Sequence, residues 1–107
     1  MESKRRKYID WKKTGKTLQL LRHDNINLRR YVCNRLNFKK GNCSGSCNDC
    51  KYEMDSVISR SELAHVFNVS ESVIFKWESG KTSVSFEDML FYSQIAEVPL
   101  LDLVVFQ

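Results

Sequence analysis

The chain has 107 residues, 42% of them hydrophobic and 28% charged, with only four Gly and one Pro, a composition that suits a single domain with one modest core and favours helix. No apolar run approaches the about 20 residues of a membrane span, and no apolar segment of the signal-peptide kind follows the basic N-terminus, so a cytoplasmic protein is expected. Charge is unevenly divided: residues 1–40 carry thirteen Lys/Arg against Glu2, Asp10 and Asp24, whereas residues 41–107 carry four against ten acids, so the first third suits a polyanion or forms a solvated tail.

Residues 1–13 are polar and charged, apart from Tyr8, Ile9 and Trp11, and read as a basic arm; the remainder, 14–107, reads as one domain. A first helix is expected over about 14–24, with Leu18, Leu21 and Leu20 on its inward stripe. A second amphipathic run extends from Asn27 to Leu36. Its apolar positions Leu28, Tyr31, Val32 and Leu36 fall at i, i+3, i+4 and i+8, the repeat of one helix face, while Arg29, Arg30 and Arg35 occupy the other.

Residues 37–57 are rich in Asn, Ser and Gly and too poor in apolar side chains to build a core. They contain Cys43, Cys47 and Cys50, and with Cys33 these make a Cys33-x9-Cys43-x3-Cys47-x2-Cys50 pattern. Four thiolates satisfy a tetrahedral zinc ion, and the two short steps let one loop wrap a single metal. Gly41 and Gly45 permit tight turns, and Lys39, Lys40 and Lys51 offset the negative charge of such a centre. Metal binding also supplies the ordering free energy that a core-poor loop lacks. Structural zinc is the favoured reading, an iron–sulfur cluster the alternative, and unligated thiols the plain one. Cys33 is the least secure ligand, because on a helix it also serves as a small core residue. No nucleophile–base arrangement, phosphate loop or paired catalytic carboxylate is evident, so no enzymatic activity is expected.

Helix signals return at Ser59-x-x-Glu62, the pattern of a capping box. Leu63, Ala64 and Phe67 face inward, Asn68 closes the helix with the left-handed tolerance of its side chain, and Val69 plugs the turn. Ser70 caps the next helix, whose inward residues are Val73, Ile74 and Trp77, and Gly80 ends it. Ser85-x-x-Asp88 resembles a second capping box and opens a helix over about 86–97, with Phe86, Met89, Leu90 and Ala96 inward. Pro99 starts a short final helix or turn through Leu103. Residues 103–106 are apolar enough to be extended, although no partner strand is evident. Leu100, Leu101, Leu103, Val104, Val105 and Phe106 complete the core or form a dimer face.

Two short helices around a tight turn present one helix to the major groove of DNA when its outward face stays polar, as it does here at Ser70, Glu71, Ser72 and Lys76, with Phe75 among them. The segment SRSELAHVFNVSESVIFKWESGKT closely resembles the helix-turn-helix of the phage-repressor and Cro type, the XRE family. The spacing of Ala64, Val69, Ile74 and Trp77-Glu78-x-Gly80 carries the likeness. Thr14-Gly15-Lys16 and Leu21-Arg22 resemble the family's first helix, and residues 85–105 its fourth and fifth. The resemblance implies an all-α, compact, lambda-repressor-like five-helix domain, here with an inserted helix and a Cys-rich loop at about 23–58. It places Glu71, Ser72 and Lys76 at base-contacting positions, and Arg60, Ser70, Lys81 and Thr82 at phosphate-contacting ones. Lys76 can donate to guanine O6/N7, and Glu71 can accept from cytosine N4. Phe75 either touches a thymine methyl group or is an exposed aromatic.

The chain departs from the family pattern at Arg60, where Gln is usual, at Asn68, where Gly is common, and through the long insertion between the first two family helices. The expected function is a sequence-specific, double-stranded-DNA-binding transcriptional regulator acting as a homodimer. The alternative is an antitoxin or other inhibitor that binds a protein partner and uses the motif for autoregulation.

Overall fold

In a computed structural model the described residues are 8–40 and 57–107, of which 37–40 are described in backbone only. The expected basic cluster Lys4–Lys7 and the cysteines Cys43, Cys47 and Cys50 lie outside the described residues. Among the described residues six helices follow one another: α1 (Trp11–Asp24), α2 (Ile26–Lys40), α3 (Arg60–Phe67), α4 (Glu71–Ser79), α5 (Phe86–Ala96) and α6 (Leu100–Leu103). None is long and apolar enough to cross a membrane.

Helix α1 begins at Trp11, within the stretch expected to be arm, because the Asp10 carboxylate accepts from Lys13 N at 3.0 Å and caps it. The segment before it is tied down as well. Ile9 pairs with Phe106 in an isolated antiparallel bridge, Asp10 N donates to Val105 O at 2.7 Å, and Gln107 N donates to Tyr8 O at 3.0 Å. The extended C-terminal residues therefore do have a partner, supplied from the other end of the chain. Thr14, fully buried, reinforces the contact by accepting from Val105 N at 2.9 Å through its hydroxyl.

Asn25 serves two helices. Its N–H donates to Leu21 O at the end of α1, and its side-chain oxygen accepts from Leu28 N at 2.8 Å in the first turn of α2. The chain thus turns directly from one helix into the next. Leu28, Val32 and Cys33 of α2 are buried in the common core, so this part of the insertion is a layer of the domain, packed against α5 and α3.

The capping box of α3 is complete: Glu62 N donates to Ser59 Oγ at 3.0 Å, and Ser59 N donates to Glu62 Oε1 at 2.9 Å. Asn68 closes α3 at φ 58° and Gly80 closes α4 at φ 77°, both left-handed, as their residue types permit. Ser70 and Ser85 cap α4 and α5 through their hydroxyls. At Ser85 the reciprocal half differs from a capping box, since the Ser85 hydroxyl donates to Asp88 Oδ2 at 3.0 Å.

Two expectations about the core change. Phe86 and Leu90 were expected inward on α5 but are 67% and 37% exposed, while Tyr92 and Ile95 join Met89 and Ala96 inside. Leu20 of α1 points outward, at 59% exposure, leaving Leu18 as the buried leucine. The centre of the domain is an aromatic cluster in which Phe67 packs against Trp77, Phe91 and Tyr92 with ring centroids 5.6, 4.8 and 4.5 Å apart, separations at which aromatic pairs are attractive.

Candidate nucleic-acid interface

Residues of α3 and α4 are fixed from beneath by Leu63, Ala64, Phe67, Ile74 and Trp77, all buried. Ala64 lies at the crossing, and the turn is closed by Val69 N donating to Ala64 O at 3.0 Å. A helix held this way cannot roll without breaking its packing, so its outward residues keep one bearing.

Those outward residues are the ones the sequence singles out. Glu71, Ser72, Phe75 and Lys76 of α4 are exposed, as are its cap Ser70 and, after Gly80, Lys81 and Thr82. Glu71 lies in the first turn of α4, where a carboxylate complements the helix dipole. The backbone after α4 is pinned to it by Lys81 N donating to Lys76 O at 3.0 Å, which holds the following loop beside the helix end.

Helix α4 is also clamped by α1. A Cβ added to Gly15 would meet Trp77 O at 2.5 Å and Glu78 O at 2.6 Å, and one on Gly80 would meet Lys12 Cα at 2.5 Å. Only glycine permits this backbone approach. Beneath the crossing, Glu78, 4% exposed, meets two arginines. Arg22, 7% exposed, donates from Nε to Glu78 Oε2 at 2.7 Å and from Nη2 to Oε1 at 3.0 Å, and its Nη1 donates to Ile58 O at 2.8 Å. Arg60 donates from Nε to the same Oε1 at 3.0 Å. One carboxylate between two guanidinium groups leaves the cluster with a net positive charge.

Arg60 therefore occupies a particular place among the expected phosphate contacts. Its Nε is engaged by Glu78, its side chain is 33% exposed, and its Cζ lies 5.2 Å from the centroid of the Phe75 ring. Lys81 Nζ lies 5.4 Å from the centroid of that ring. The structure thus gathers two residues expected at phosphates, Arg60 and Lys81, around an aromatic side chain on the reading helix. A hollow of about 290 Å³ beside Arg60 and Phe75 is lined also by Lys12 and Lys16 of α1 and by Glu78.

The sequence reading passed over Lys12 and Lys16 as interface residues and treated Glu78 only as part of a motif. Lys12 and Lys16 are four apart on α1 and so share a face, the one signal that could have joined them. Of the expected metal ligands, Cys33 is described: it is 7% exposed in the apolar core beside Leu28 and Val32. Among the described residues, no group of three or more His, Cys, Asp or Glu is placed to hold a metal.

The protein-family model described as Helix-turn-helix matches residues 58–103. Neither the curated proteins nor the solved structures give a match to this chain. The matched segment runs from Ile58, which accepts from Arg22, to Leu103, the buried residue of α6, and so takes in both helices of the motif and the two that buttress it. Over residues 58–103 the chain is thus similar to the helix-turn-helix family, in agreement with the resemblance to the XRE type that the sequence of α3 and α4 carries.

Proposed function

We propose that the protein is a cytoplasmic, non-enzymatic transcriptional regulator that reads specific double-stranded DNA by inserting α4 into the major groove. The observation that carries this reading is the exposed row Glu71, Ser72 and Lys76 on a helix whose inner face is locked into the core. Lys76 and Glu71 supply a donor and an acceptor for base edges. Ser70, Arg60, Lys81 and Thr82 flank them and supply sequence-independent attachment to phosphates.

A homodimer on paired half-sites is part of the reading. Exposed Phe86 and Leu101, at 67% and 75%, support an apolar contact surface on the C-terminal part of the domain. An antitoxin-like inhibitor would use such a surface for a different protein. Mass measurement of the purified chain with and without DNA tests the homodimer, and a full-length chain that ignores DNA yet binds a second protein tightly would favour the inhibitor.

We assign structural zinc to the cysteine cluster on the chemistry of its spacing, with Cys43, Cys47 and Cys50 as the principal ligands and Cys33 as the fourth. An iron–sulfur cluster is the alternative cofactor. The burial of Cys33 also suits a core role for that side chain.

The deciding experiment is selection of bound duplexes from a random DNA pool by the full chain, with and without chelator. Enrichment of one motif is expected. Lys76→Ala should then relax preference at one position of that motif with the fold intact, whereas Arg60→Ala should weaken binding to all duplexes and lower the salt slope by about one. Failure to enrich any motif, or unchanged site preference in Lys76→Ala, counts against the assignment of α4.

A further inference from the structure

We propose that Phe75 is a positioning residue for DNA-backbone binding: its ring holds Arg60 and Lys81 together as one phosphate clamp, and does not itself read a base. The inference rests on the DNA-binding reading above and assigns a role to the one large apolar side chain on the outward face of α4.

Phe75 is 42% exposed on a helix whose other outward residues are polar. A large aromatic left in water on a reading face calls for a reason, and the structure gives one in its neighbours. Arg60 comes from the start of α3 and Lys81 from the loop after α4, yet their charged groups lie 5.2 and 5.4 Å from the same ring centroid. Both distances fall within the about 6 Å reach of cation–π attraction. Two like charges drawn to one site repel each other, and an aromatic face offsets part of that repulsion without neutralising either cation.

The remaining geometry points the same way. Among the described residues, Arg60 is fixed at Nε by Glu78 and makes no other hydrogen bond, leaving its two terminal nitrogens to donate outward. Glu78 is shared with Arg22, which donates to both of its oxygens, so it orients Arg60 without cancelling the positive charge of the group. Lys12 and Lys16 line the hollow shared by Arg60 and Phe75, which extends the cationic surface towards α1. A phosphodiester backbone is the ligand this arrangement fits: a run of anions whose oxygens accept from a fixed guanidinium and from an ammonium held at the same ring. Flexible cations pay rotamer entropy each time they engage a phosphate, and pre-positioning them on a ring lowers that cost.

The test compares full-length wild type with Phe75→Leu, Phe75→Tyr and Lys81→Ala on two duplexes, the motif enriched by wild type and an unrelated sequence of equal length. Phe75→Leu should weaken binding to both by roughly three- to tenfold, with a salt slope shallower by about one. Phe75→Tyr, which keeps the ring, should restore affinity and slope. Lys81→Ala should cost much less in the Phe75→Leu background than alone. Replacing thymine by uracil along the motif should affect wild type and Phe75→Leu equally. Thermal melting of the free variants checks folding, and the ring-retaining variant keeps the comparison decisive if Phe75→Leu unfolds. Loss confined to the motif, with a thymine-methyl effect that disappears in Phe75→Leu, overturns the inference in favour of base reading. Wild-type binding with unchanged affinity and slope in Phe75→Leu overturns the inference alone. A wild type that binds neither duplex overturns the DNA reading, and the clamp with it.

Discussion

Arg22 and Glu78, separated by 56 positions, form a two-pronged buried ion pair between α1 and α4, with N–O distances of 2.7 and 3.0 Å. Buried pairs of this kind add little net stability over an apolar pair, yet removing one partner leaves the other charge unsatisfied. Glu78→Ala strands Arg22 in the interior and should destabilise the fold by about 3–5 kcal/mol in urea unfolding. Arg60→Ala should cost under about 1 kcal/mol, since that side chain is a third exposed and its partner keeps Arg22. A loss below about 1 kcal/mol for Glu78→Ala would show that the pair does not hold the helices together.

Gly15→Ala should behave opposite to helix propensity. Within an open helix the change stabilises by about 1 kcal/mol. Here the new methyl group meets two backbone carbonyl oxygens of α4 at 2.5 and 2.6 Å, and neither can swing aside as a side chain would. The helices must separate, at a cost of roughly 1–3 kcal/mol, and α4 moves with respect to α1. Thermal unfolding should show a lower midpoint, and binding to the selected duplex should weaken as well. A raised midpoint would mean that the crossing is looser than the structure places it.

How much of this could be read beforehand depends on the range of the interaction. The caps at Ser59 and Ser70 and the left-handed closures at Asn68 and Gly80 are set by residues within four positions of one another, and all were legible. The inward face of α5 was not. Apolar residues occupy Phe86, Met89, Leu90, Phe91, Tyr92, Ile95 and Ala96, nearly encircling the helix, so periodicity defines no single face. Tertiary contact with Phe67 and Trp77 selects Tyr92 and leaves Phe86 outside. The same limit applies to Ile9 with Phe106 and to Arg22 with Glu78, whose partners lie far away in sequence. At the interface, sequence could nominate Arg60 and Lys81 separately, but their meeting at Phe75 is a property of the folded chain.

Tyr92 offers a prediction in pH. Its hydroxyl is fully buried with no hydrogen-bond partner among the described residues. Burial chiefly, and then the Glu78 charge, push its ionisation well above the ordinary tyrosine value. The folded form therefore keeps the phenol neutral where the unfolded chain begins to ionise, near pH 10. Stability from this group is intact below that pH and falls as pH rises beyond it, by about 1.4 kcal/mol per unit. Tyr92→Phe should remove this part of the alkaline loss. At neutral pH it should also stabilise the fold by about 1 kcal/mol, because it deletes a buried polar group that has no partner. Equal alkaline slopes for wild type and Tyr92→Phe in urea unfolding would mean that the hydroxyl ionises in the folded chain as it does in water.

The cysteine cluster is tested by metal content together with stability. The full chain, purified without oxygen, should contain one zinc per molecule by elemental analysis, and Cys47→Ser should lower that content. A zinc ion held by these thiolates would favour the folded chain, so chelation should lower the thermal midpoint of wild type but leave that of Cys47→Ser little changed. Cys33→Ser separates the two roles of that residue. If Cys33 is a ligand, zinc content falls with it. If it only fills the core beside Leu28 and Val32, zinc content stays while stability drops by about 1–3 kcal/mol, the cost of burying a hydroxyl in an apolar site. Iron with visible absorbance would transfer the assignment to an iron–sulfur cluster. A chain that is metal-free under these conditions would reduce the cluster to thiols.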